Sequence, residues 1–94
     1  MMSESVEVMR LGEHSYAAEV HEAGHTTEHR VVLGQEVLDD LAPPPPEEST
    51  VVAETVRYLL DRRPSTALPH DIDLEELREA DAGFLPELRA RLGG

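Results

Sequence analysis

The chain has 94 residues, of which 39% are hydrophobic and 3% aromatic, so we expect a single domain, residues 1–94, with a mainly aliphatic core. Its formal net charge of −12 disfavours nucleic acids and anionic membranes as partners, because both are themselves negatively charged. The chain contains no cysteine, which excludes disulfides and thiolate metal sites, and its start lacks the basic and apolar segments of a secretory signal. We therefore expect an acidic cytoplasmic protein.

Residues 1–34 are predicted to form an antiparallel β-meander. Residues 6–11 alternate weakly between apolar and polar side chains, and a clearer alternation of period two continues on both sides of Gly24. In a hairpin one face collects the inward positions, which are Tyr16, Ala18, Val20, His29, Val31 and Leu33. The turn is formed either by residues 24–25 or by residues 23–24. Both registers place the same side chains inward, because they differ by two residues.

His29 is the one histidine on this inward face. A histidine among apolar neighbours is interpreted here as a core residue whose ring nitrogens are hydrogen-bonded. A pH-sensitive element is the alternative interpretation, because an apolar environment resists protonation of the imidazole ring.

Residues 35–63 are predicted to form a pair of helices. The first covers residues 35–41, and the second has Ser49 as its N-cap and ends before Pro64. The apolar positions are Val37, Leu38 and Leu41 in the first helix and Val52, Val56, Leu59 and Leu60 in the second. The four prolines at residues 43–46 lack amide donors and favour polyproline II, so they are predicted to form a stiff spacer between the helices.

Residues 71–92 are predicted to form a C-terminal helical segment that begins at an Asp73 N-cap. Gly83 and Pro86 interrupt the helical pattern, so we expect two short helices or a kink between about residues 82 and 86. The candidates for a partner-binding surface are Leu77, Phe84, Leu85, Leu88 and Leu92. Such residues fit a helix-in-groove contact, or they complete the core of the protein itself.

Residues 21–25 read His-Glu-Ala-Gly-His, the HExxH pattern, and resemble the zinc motif of the membrane-anchored AAA metallopeptidases. On a helix the two histidines of this pattern share one face and bind zinc, while the glutamate activates the metal-bound water. Gly24 and the β-branched residues that follow it disfavour a helix, so a hairpin is the preferred interpretation. We expect no catalytic, cofactor-binding or metal site, and the only candidate metal ligands are His21, His25 and His29.

The strand at residues 29–33, the helix at residues 36–41 and the helix at residues 49–62 resemble the strand, helix A and helix B of ribbon-helix-helix antitoxins and repressors. This resemblance implies a dimeric regulator that binds DNA. The chain differs from that pattern in its preceding hairpin strand and in the four prolines between the helices. DNA binding would also oppose the net charge.

A looser pattern runs through the whole chain: a strand with tyrosine, a glycine turn, a strand with histidine and aliphatic residues, and leucine-rich helices. The positions that carry it are Tyr16, Gly24, His29, Val31, Leu33, Leu38, Leu41, Leu59, Leu60 and Pro64. This layout is similar to that of small uncharacterised proteins of high-GC bacteria, a resemblance that implies no activity.

Together these patterns predict an α+β fold, with a two- or three-stranded antiparallel meander followed by two to three helices. We expect a non-enzymatic protein-interaction or regulatory module. Its partner is an unidentified protein or a second copy, paired as a homodimer through a sheet edge. A ribbon-helix-helix-like antitoxin or transcriptional regulator is the alternative, and a zinc hydrolase that uses residues 21–25 is ranked last. No cofactor is expected.

Overall fold

The computed structural model describes residues 4–41 and 47–93, and within them it confirms the α+β class. The elements in chain order are β1 (Glu4–Gly12), β2 (Ser15–Glu22), β3 (His25–Val32), α1 (Gln35–Asp40), α2 (Glu48–Leu60), β4 (Asp71–Asp73), α3 (Leu74–Ala80) and α4 (Phe84–Gly93). The sheet order is β1-β2-β3-β4, in which β1 to β3 form the predicted meander and β4 pairs parallel to β3. The strand β4 was not predicted. The spacer at residues 43–46 lies outside the described residues.

The hairpin between β2 and β3 decides the register that the sequence left open. Glu22 pairs with His25, so residues 23–24 form the two-residue turn. Ala23 and Gly24 both have positive φ, at 52° and 81°, which is the geometry of a type I′ turn. The alternative turn at residues 24–25 is wrong. Ala18 faces His29 in this register, and the predicted inward face is confirmed.

Replacing Ala23 by asparagine is expected to stabilise the protein by about 0.5–1 kcal/mol, because asparagine tolerates the left-handed backbone better than alanine. Gly24→Ala is the matched change in the opposite direction, and it is expected to cost about 1 kcal/mol. Urea denaturation of the two variants and the parent measures both effects. A lower midpoint for Ala23→Asn would contradict the strained turn.

The core lies between the inward face of the sheet and the helices. The helix α2 packs against β1, β2 and α4. Its buried residues are Val51, Val52, Thr55, Val56, Tyr58, Leu59 and Leu60, so the predicted stripe is correct but incomplete. The predicted Ser49 N-cap is wrong, because the helix begins at Glu48. The Glu48 carboxylate lies 3.0 Å from His14 Nδ1 and accepts a hydrogen bond from the Tyr16 hydroxyl, and these contacts fix the first turn to the sheet.

The C-terminal helices begin and end close to where the sequence placed them. The Asp73 carboxylate accepts a hydrogen bond from the Glu75 amide at 2.9 Å, so Asp73 is the predicted N-cap of α3. The helix α3 ends at Ala80 and α4 begins at Phe84, which confirms the predicted break. Pro86 lies in the first turn of α4, where a missing amide donor removes no helical hydrogen bond.

His29 is a buried core residue, as predicted, and it fixes the chain that leads into β4. Its Nδ1 donates to the Pro69 carbonyl oxygen at 2.7 Å, and its Nε2 lies 2.9 Å from the Thr27 hydroxyl. The adjacent Arg30 amide donates to the His70 carbonyl oxygen at 2.7 Å. These contacts bring Ile72 beside Val31 and extend the sheet by one parallel strand.

Candidate functional site

The two histidines of the HExxH pattern do not lie on one face of a helix, which is the arrangement that zinc binding by this motif requires. His21 lies near the end of β2, His25 begins β3, and the type I′ turn separates them. His21 points away from the helices, whereas His29 points into the core. Glu22, which would be the general base of a metallopeptidase, instead accepts a hydrogen bond from the Ser65 amide at 3.0 Å. This glutamate therefore has a structural contact in the fold.

The C-terminal apolar residues belong to the core of the chain itself. Phe84 and Leu88 have no exposed surface, so neither can serve as the partner-binding surface that was one interpretation of the sequence. Leu77, Leu85 and Leu92 are partly buried and pack against the same core. The interpretation in which these residues complete the core describes Phe84 and Leu88.

The exposed side of the sheet is the principal surface that the helices leave uncovered. The outward side chains of β1, β2 and β3 make up this surface, which we call the open face. Glu7 lies opposite Glu19, and Glu19 lies opposite Glu28, so three carboxylates form one row across three strands. We call these three residues the carboxylate row. Like charges directly opposite each other on a sheet are destabilising, so folding places these groups together at a cost.

His21 offsets part of that charge. Its Nε2 lies 3.2 Å from a Glu7 oxygen and 2.8 Å from a Glu19 oxygen, while its Nδ1 lies 3.0 Å from the Thr26 hydroxyl. The hydrogen bond to Glu7, aided by Glu19, raises the pKa of His21 above its ordinary value although partial desolvation opposes the shift. Glu28, at the other end of the row, forms no ion pair among the residues that the structure describes.

The ligand atoms of Glu7, Glu19 and His21 all lie within 4.8 Å of one another, a spacing that a metal ion can bridge. The cluster is exposed or half-exposed, and the imidazole already contacts both carboxylates. Its geometry is that of one imidazole nitrogen, Nε2, shared between two carboxylates. We therefore assign it an electrostatic role.

Apolar side chains lie on the same face as the carboxylate row, with Met9 one row of the sheet away from it and Val32 two rows away. Met9 is 65% exposed, Leu11 54% and Val32 40%, and these are the exposed large hydrophobic residues of the described chain. Ala17 lies between Met9 and Arg30, and its side chain is much shorter than those of its two neighbours. The result is an open depression of about 600 Å³. Its walls combine carboxylates with thioether and aliphatic groups.

The alignment of the open-face residues across the three strands could not be read from the sequence. Glu7, Glu19 and Glu28 occupy the polar positions of the period-two pattern, where charges are usually solvated. They form a row only in the register set by the two hairpins. The exposed Met9 and Leu11 were the available signal, because they break the polar side of the pattern in β1.

Comparison with protein-family models, with curated proteins and with solved structures found no match for this chain. None of the helices in residues 4–41 and 47–93 has the length and hydropathy that crossing a membrane requires. The fold is a small α+β domain in which helices cover one face of a mixed sheet. The opposite face, the open face, is the surface from which a function can be inferred.

The pKa of His21 is expected to lie above the ordinary histidine value of about 6.5 and to fall in Glu7→Gln. A raised folded-state pKa contributes stability that is present below the unfolded value and is lost as the pH rises through the folded one. The destabilisation caused by His21→Gln should therefore be larger at mildly acidic than at alkaline pH. Proton–carbon NMR titration of the imidazole measures the His21 pKa in the parent protein and in Glu7→Gln. Equal His21 pKa values in the two proteins would contradict the shared-histidine geometry.

Proposed function

We propose that the protein is a non-enzymatic interaction module of the cytoplasm that binds a protein partner through the open face. The observation that carries the proposal is the combination of Met9, Leu11 and Val32 with the carboxylate row on a face that no helix of the described residues covers. Protein-binding surfaces typically surround exposed apolar groups with polar ones, and a contiguous patch on a small domain often marks such a site. The depression centred on Ala17 adds a concave element that an inserted side chain can fill.

The other two functions considered from the sequence have less support. DNA binding requires cations directed at phosphate, but the outward residues of β3 include only one, Arg30, beside Glu28. Residues 30–32 of β3 are paired with both β2 and β4, so this end of the strand has no free edge for a second copy. Zinc hydrolysis requires His21 and His25 on one helix face, and they lie on two strands.

Self-association is supported at a different place, the edge of β1. In the sheet of the described residues, β1 is an outer strand of 9 residues, and it has neither lysine nor proline to blunt its free edge. Stacking two open faces would instead oppose two carboxylate rows, so a second copy does not fit that surface. Sedimentation velocity over a concentration series tests the β1 edge as a dimer contact.

Site-specific photo-crosslinking tests the proposed function. A benzoylphenylalanine placed at Val32 on the open face is expected to capture a discrete partner in the cells of origin, whereas one placed at Glu79, exposed on α3, is not. The captured protein, once purified, should bind the parent chain and lose that binding to Val32→Glu. Identical cross-link patterns from the two positions would overturn the proposal.

A further inference from the structure

We propose that the occupant of the open face is an amphipathic helix of a partner protein, with arginine or lysine beside aliphatic residues on its contacting side. This inference rests on the proposed function and names the class of partner. It follows from three features of the open face: its net negative charge, in which three carboxylates outnumber the one arginine, Arg30, the apolar groups on the same face and the absence of free backbone groups.

The charge of the face calls for a cation. The carboxylate row contributes three negative charges from Glu7, Glu19 and Glu28, and His21 contacts only the first two. A guanidinium or ammonium placed over Glu19 and Glu28 would relieve the repulsion between opposed carboxylates. The net charge of −12 acts in the same direction, because it steers cationic partners toward the molecule.

The apolar groups of the open face determine which side chains the partner must carry beside its cation. Met9 and Ala17 form the next row of the sheet after Glu7 and Glu19, one two-residue step of about 7 Å along the strands. One turn of a helix rises about 5.4 Å, so side chains one turn apart reach the two rows together. The aliphatic stem of a lysine or arginine can also lie in the depression above Ala17 while its charge reaches the carboxylates.

The backbone favours a helix over an extended segment as the occupant. An extended peptide gains affinity by hydrogen-bonding to a free strand edge, whereas the face of a paired sheet offers no such groups. Helices pack on the inward face of this sheet, and a helix can pack on the opposite face in the same way. A partner helix on the open face would add a third layer, with the sheet between two layers of helix.

The test uses labelled helical peptides of about five turns and the full chain. The probe carries leucine and arginine on one side. A second peptide has the same composition with its arginines moved to the opposite side, and a third has glutamate in place of arginine. Fluorescence anisotropy is expected to show salt-sensitive binding of the first peptide and binding at least about tenfold weaker for the other two.

Two matched variants separate the open face from overall charge. Glu7→Gln, Glu19→Gln and Glu28→Gln together are expected to weaken probe binding about tenfold. The control set, Glu36→Gln, Glu76→Gln and Glu79→Gln, removes the same charge from exposed helical positions and is expected to change binding less than about twofold.

Three further results bear on the inference. Ala17→Leu should block the probe by filling the depression, with the helical circular dichroism unchanged. Glu28→Gln alone, which breaks no ion pair of the described residues and removes the repulsion with Glu19, should weaken binding without lowering stability. Equal effects of the two triple sets would overturn the inference, because binding would then depend on overall charge. A crosslinked partner that requires Val32 but ignores the carboxylate row would also overturn it, while leaving the proposed function in place.

Discussion

Phe84→Ala and Leu88→Ala are each expected to lower the free energy of unfolding by about 3–4 kcal/mol, while Leu85→Ala and Leu92→Ala cost about 1 kcal/mol. The physical reason is burial: Phe84 and Leu88 are 0% exposed, so truncation removes apolar contacts and leaves a cavity. Leu85 and Leu92 lie at the margin of the core, where solvent fills the space. Urea denaturation at constant pH measures all four variants.

This set of variants also separates the two interpretations of the C-terminal leucines. If α4 were a partner surface, Leu85→Ala and Leu92→Ala would lower partner binding while Val32→Glu would not. The open-face proposal predicts the reverse, with Val32→Glu losing the partner and the α4 variants retaining it. Equal stability losses at Leu88 and Leu92 would contradict the division into buried and marginal positions.

The parts of the fold that could be predicted are those determined by residues close in sequence. Period-two alternation identified the inward face of β2 and β3, including His29, because successive strand residues point to opposite sides. Gly83 and Pro86 identified the break between α3 and α4 for a similarly local reason. The turn register was left open because Ala23 and His25 are both unusual turn residues, and the pattern of inward residues is the same in both registers.

The parts that could not be predicted depend on contacts between distant residues. The strand β4 has 3 residues, of which only Ile72 is buried, and it is positioned by His29 and Arg30 about 40 residues earlier in the chain. A second case is the start of α1, where Glu75 accepts a hydrogen bond from the Val37 amide at 3.0 Å. Neither contact has a signature in the local sequence pattern.

The open face failed to emerge from the sequence for a related reason. An exposed glutamate is unremarkable alone, and Glu7, Glu19 and Glu28 gain meaning only when two hairpin registers align them. A patch defined across three strands is a tertiary property. The HExxH pattern is the converse case. It is a local signal whose zinc chemistry requires a helix, and the chain forms a hairpin at these residues instead.

Tyr58 is another buried residue that the local pattern missed, and Tyr58→Ala is expected to cost about 4 kcal/mol. Tyr58 is 1% exposed, and its ring packs edge-on against that of Phe84, with 5.2 Å between the ring centroids. The Arg62 guanidinium carbon lies 3.7 Å from the centroid of the Tyr58 ring. Its hydroxyl donates to the Asp81 carboxylate at 2.5 Å. Tyr58→Phe keeps the packing and removes this hydrogen bond, so it should cost only about 1 kcal/mol. Thermal and urea unfolding of the two variants separates the ring from the hydroxyl.

The hydroxyl contribution has a pH signature that the packing contribution lacks. The hydrogen bond from Tyr58, with that from the Gly83 amide, holds the pKa of Asp81 below its ordinary value. A lowered folded-state pKa contributes stability that is present above the unfolded value and is lost as the pH falls through the folded one. In Tyr58→Phe the Asp81 pKa should therefore move up toward the ordinary aspartate value, and stability should depend less on pH in the acid range. Carboxyl NMR titration measures the Asp81 pKa in the parent protein and in Tyr58→Phe. An unchanged pKa would show that the Tyr58 hydroxyl of α2 does not hold the Asp81 carboxylate, which lies just before α4.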